Sequence, residues 1–167
     1  MKIKKIVLVI LISLICLEKA NTEISDSLFM TIGDKAIAQS DIVNEIKILL
    51  ILNNEGYSDE KRDELHRLSV QSIIKRKIKE IEIERTNFFE FNPQDVNAEL
   101  RRLANNINVD LETLKNICES NELDFALIEQ NIQINLAWNS LIFKLYKDKI
   151  SIDPEEIDEQ LRASQGK

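Results

Sequence analysis

The sequence predicts a mainly α fold: a multi-helix domain with a small amino-terminal β-hairpin and one long helix. Three observations carry this. Only three Gly and two Pro occur in 167 residues, so few positions interrupt a helix. The stretch from Asp124 to Ile150 holds neither, and as one helix it would run roughly 40 Å. Finally, the β-prone run Leu28-Phe29-Met30-Thr31-Ile32 meets a Gly33-Asp34-Lys35 turn signal and a short apolar return, Ala36-Ile37-Ala38, which is the pattern of a hairpin.

The helices follow in order. Ser40 is placed to cap a first helix from Asp41 to about Leu52, with its hydroxyl accepting from free first-turn N–H groups. Ile42, Val43, Ile46, Leu49 and Leu50 give that helix its apolar side. Asn53-Asn54-Glu55-Gly56 closes it, with Gly56 as the left-handed residue. A longer helix opens at Ser58 or Asp59 and runs to about Arg85. Its other side mixes Lys, Arg and Glu, as a solvated face with weak i,i+4 pairs does. Phe88, Phe89 and Phe91 form an aromatic linker expected to plug the core. Asn92-Pro93 starts the next helix, with Pro tolerated in the first turn. Asn105 to Asn108 breaks it, Asp110 caps a short helix, Asn121 ends that one, and Asp124 opens the long one.

The long helix carries two apolar stripes. Phe125, Ile128, Ile132, Leu136, Phe143 and Tyr146 keep helical spacing on one side; Ile134, Trp138, Leu141 and Leu145 keep it on another. A helix at the edge of a core needs one stripe. Two stripes mean that it is wrapped by other helices or that one stripe serves a partner.

Residues 1–20 read as a secretory signal. Lys2, Lys4 and Lys5 precede Ile6 to Leu17, which is apolar apart from Ser13. That run is short for a spanning helix, which needs about 20 residues. Ala20 is a plausible last residue, although Glu18 suits a small-residue cleavage rule poorly. An uncleaved anchor is the other reading of this segment. Ile15 directly before Cys16 argues against a lipoprotein cysteine. Without that segment Cys118 is the single cysteine, so no internal disulfide can form. The formal charge is −7, and an acidic chain argues against nucleic-acid binding.

The inventory for chemistry is thin. His66 is the only histidine, no second His or Cys completes a metal set, and no glycine-rich phosphate loop occurs. No nucleophile with a paired base can be assembled. The expectation is a protein without catalytic residues, metal, cofactor or small-molecule ligand.

Taken in order, several features resemble the amino-terminal domain of the SurA-type periplasmic chaperones, which precede parvulin-type peptidyl-prolyl isomerase domains. The resemblance begins at Met30-Thr31-Ile32-Gly33-Asp34-Lys35-Ala36-Ile37. It continues through Ser40-Asp41-Ile42, Leu68 to Ile83, Asn92-Pro93-Gln94-Asp95-Val96, Leu111-Glu112-Thr113-Leu114 and Ile128-Glu129-Gln130-Asn131-Ile132. It closes on Ile150-Ser151-Ile152-Asp153-Pro154-Glu155-Glu156-Ile157, which looks like the exit into an isomerase domain. It thus covers about residues 28–161, with 162–167 as a tail. No residues here correspond to an isomerase active site or to the carboxy-terminal segment that completes the family's module.

The resemblance implies a periplasmic holdase for unfolded outer-membrane proteins, touching the membrane only through the signal segment before its cleavage. A holdase needs exposed apolar surface rimmed by charge and no catalytic group. The first stripe, Phe125 through Phe143, is expected to bind the preceding helices into one core; the second stripe, Ile134, Trp138, Leu141 and Leu145, is the expected groove, with Leu49 and Leu52 from the first helix. Two other functions fit the same sequence: the substrate-binding part of an isomerase whose catalytic domain lies elsewhere, and a membrane-tethered assembly protein.

Overall fold

A computed structural model describes residues 26–149. The proposed signal segment, residues 1–20, and everything from residue 150 onward lie outside the described residues. The described chain is mainly α, with five helices behind a two-stranded antiparallel hairpin.

The hairpin pairs Leu28–Ile32 (β1) with Lys35–Ala38 (β2), with Ile32 opposite Lys35 and a register shift between Leu28 and Met30. Gly33 and Asp34 make the two-residue turn. Gly33 sits at φ +59°, the left-handed value that a side chain resists and that this turn needs at its first central position. Ile37 is buried on Ile42 and Ile73, so the hairpin is held against the first two helices.

α1 is Gln39–Leu52. Ser40 lies inside it and is not its cap. Asp41 accepts the Ala38 N–H at 2.8 Å, and Asp26 accepts both the N–H and the hydroxyl of Ser40. The carboxylates win because they are charged acceptors beside the positive end of the helix. A 3₁₀ turn, Asp59–Lys61, leads directly into α2, Arg62–Thr86. Together they form one 28-residue helical stretch, longer than the helix that follows from Asp124. α3 is Pro93–Asn106, α4 is Leu111–Ser120 and α5 is Ala126–Tyr146, with a 3₁₀ turn at Lys147–Lys149. Asn92 caps α3 by accepting the Gln94 N–H at 2.9 Å, and Asp110 caps α4 by accepting the Thr113 N–H at 2.7 Å. Asp124 accepts the Ala126 N–H at 2.9 Å where α5 begins.

Each of the first four helices stops in the same way. Asn54, Asn87, Asn108 and Glu122 take left-handed φ values between 49° and 60°. In each case the next residue donates its N–H five positions back: Glu55 to Leu50, Phe88 to Ile83, Val109 to Ala104, and Leu123 to Cys118. This is the Schellman stop. Gly56 has no part in it; Asn54 supplies the left-handed residue of α1 instead.

Three apolar clusters make the core. The largest joins α1, α3, α4 and the first half of α5 around Leu100, Leu114 and Ile128. A second joins the end of α2 and the following loop to α5 through Ile83, Phe88, Ala137 and Leu141. The third lies under the hairpin. No helix among the described residues is long and apolar enough to cross a membrane.

Candidate functional site

The six residues expected to line a groove do not form one surface. Ile134 and Leu141 are 4% and 3% exposed and belong to the second cluster, packed with Ile83 and Phe88. Trp138 is half-buried against the same cluster. Leu145 is 52% exposed. Leu52 packs against the first cluster, and Leu49 lines a separate hollow with Asn53, Leu65 and Leu68. The second stripe is therefore core as far as Leu141 and open only beyond it.

The first stripe behaves alike. Ile128 and Ile132 are core, whereas Phe143 and Tyr146 are 66% and 48% exposed. Thus α5 is covered on both sides through Leu141 and then runs past the helices that cover it. Its last turn carries Phe143, Leu145 and Tyr146 into solvent.

Beside this end lies an open hollow of about 610 Å³ between α5, the loop after α2 and the start of α3. Phe88, Leu136 and Phe143 give it apolar walls. Lys144, Lys147, Glu90 and Asp95 stand around it. The Lys144 ammonium sits 4.1 Å from the centre of the Phe88 ring, a cation over the negative face of an aromatic. Phe88 itself is held because its N–H completes the α2 stop and its ring enters the second cluster.

A second concavity, about 350 Å³, lies between the end of α2 and the first half of α5. Ile83 and Ile134 line it, Phe88 and Phe89 wall it, and Glu80, Glu84, Gln130 and Gln133 surround it. Of the three linker aromatics, Phe88 is buried and Phe91 touches both main clusters, while Phe89 stands 55% exposed with its ring edge-on to Phe91. Where α2 meets α5, Lys79 donates to Asn135 Oδ1 at 2.6 Å. Burial, with Lys75 nearby, pushes the Lys79 ammonium below its ordinary pKa.

The remaining polar features lie away from both hollows. His66 is exposed, with its ring 5.8 Å from that of Phe29. Glu45 is buried in α1, where Ser72 donates to it at 2.5 Å and Arg76 lies 2.8 Å away. Cys118 is fully buried, and that burial pushes its thiol up. Among the described residues no three metal-ligating side chains come together.

Comparison with protein-family models, with curated proteins and with solved structures finds no match for this chain.

Sequence reasoning missed Phe143 as a surface residue because it assigned the first stripe, Phe125 through Phe143, to the core. It also missed Phe88 as a wall of the hollow. The signal for Phe88 was present: it directly follows Asn87, a residue type suited to a left-handed helix stop, and the next position of such a stop commonly turns inward.

Proposed function

We propose that this chain is a periplasmic holdase of the SurA amino-terminal type, exported by residues 1–20 and holding unfolded outer-membrane proteins. The observation that carries the reading is the apolar end of α5. Phe143 stands in solvent beside a hollow walled by Phe88 and Leu136, and Leu145 and Tyr146 are exposed on the same last turn of the helix. Exposed large apolar groups gathered at one place mark an interaction surface. An extended client would lay an apolar side chain into the hollow, and each buried Å² of apolar area would contribute about 25 cal/mol. The charged groups around the hollow keep the empty surface soluble. The order of a hairpin followed by helices supports the same reading.

The test is aggregation of a urea-unfolded outer-membrane porin diluted into buffer, followed by light scattering. The full chain should suppress scattering, and Phe143→Asp with Leu145→Asp should remove most of that effect while leaving the helical circular-dichroism signal intact. Undiminished aggregation at several-fold molar excess of the chain would dispose of the reading.

A further inference from the structure

A small polar recess lies where α1, α2 and α5 meet, apart from both hollows. We propose that it binds two water molecules, which carry hydrogen bonds from Glu45 and Arg76 across to Asn131 in the first half of α5. The proposal does not rest on the holdase reading.

Size limits the guest. The recess measures about 70 Å³. A water takes up about 30 Å³ in the liquid, so two fit, whereas pockets for drug-sized ligands begin near about 300 Å³.

Glu45 supplies the demand. It is 3% exposed, and its Oε1 accepts from the Ser72 hydroxyl at 2.5 Å. Arg76 Nη2 lies 2.8 Å from Oε2, but its N–H bonds are not aimed there, and no hydrogen bond among the described residues reaches that oxygen. A buried carboxylate oxygen without a donor is costly, and an ordered water is the usual remedy in a polar site.

Charge selects a neutral guest. Two carboxylates, Asp41 and Glu45, and two cations, Arg76 and Lys77, line the recess, so its formal charge is zero. Each already has a partner: Glu45 has Arg76, Lys77 has Glu80 at 2.8 Å, and Asp41 has the Ala38 N–H. An ion would upset this balance, and an apolar guest would leave Glu45 Oε2 without a donor. Water can donate to that oxygen and accept from Arg76 or from a side-chain amide. Asn44 of α1 and Asn131 of α5, both half-buried, line the recess from two helices. With Glu45 and Arg76 they make up the two to four polar partners that an ordered water needs.

The experiment is a crystal structure of the full chain at a resolution that shows ordered water, with water-oxygen magnetic relaxation dispersion to count long-lived waters in solution. Two density peaks should stand within about 2.7–3.2 Å of their partners, one of them at Glu45 Oε2, and together they should reach Asn131. Asn131→Leu, close in size but without polar atoms, should lose at least one of the two, with a matching fall in relaxation amplitude. Asn116→Leu, at an exposed position on α4, should change neither. An ion or organic molecule in the density would overturn the proposal. So would a recess closed by its own side chains, or waters that stop at Glu45 without reaching α5. If no crystals grow, the solution count decides, and equal amplitude in the native chain and Asn131→Leu overturns the proposal. Should Asn131→Leu unfold, Asn44→Leu takes its place with the same expected loss and the same overturning result.

Discussion

Glu45 sits three residues from Ile42 and three from Ile48, in register with the buried side of α1. A carboxylate there is costly unless it is paired. Its partners, Ser72 and Arg76, come from α2. Breaking such a pair leaves a charge without its counterpart, so Glu45→Ala should cost about 3 kcal/mol, read from urea unfolding. The sequence shows Glu45 in the apolar frame, but its partners are too distant along the chain for periodicity to reveal them. Two further groups can be tested at this scale. Cys118 should react with a thiol reagent only when the protein unfolds, since it is fully buried and its thiol is pushed up. Asp110 is held below its ordinary pKa of 3.8 by hydrogen bonds from Thr113. A depressed folded-state pKa means that the cap stabilises fully above that ordinary value and loses its effect as pH falls through the lower folded value. Melting curves should therefore place Asp110→Ala below the native protein at neutral pH, with the gap closing in strong acid.

At the scale of elements, the repeated helix stop shows what was legible and what was not. Asparagine was read correctly as a break after α3 and α4. At the end of α1 the reading favoured Gly56, because glycine has no side chain to resist a left-handed backbone. Asn54 takes that role because asparagine also tolerates this region. Glu122 is the exception in the set, a longer side chain at φ +53°. Its carbonyl accepts from Lys47 at 3.0 Å, which ties the turn to α1. Glu122→Gly should relieve the backbone and stabilise by about 1 kcal/mol, visible as a raised thermal midpoint. A lower midpoint would show that the Glu122 side chain contributes more than its backbone costs.

For the molecule as a whole, α5 is the shared wall of two clusters. Ile128 belongs to one and Leu141 to the other. Each, cut to alanine, should cost about 2–5 kcal/mol. Because one helix spans both clusters, each variant should shift a single unfolding transition rather than split it, as coincident fluorescence and circular-dichroism melts would show. The two stripes of this helix were legible from periodicity. Periodicity shows which side of a helix is apolar, but not how far along the axis its neighbours extend. That is why Phe143 was assigned to the core and Leu141 to the surface, the reverse of what the packing gives.

The place of α5 in chain order also matters during synthesis. Ile83, Phe88, Leu100 and Leu114 leave the ribosome before the helix that covers them. Ala126 to Leu141 takes roughly 1–3 s to be made at ordinary translation rates. Through that interval the nascent chain carries its future interior outside, so an arrest before residue 141 should yield a product that aggregates rather than a smaller folded domain.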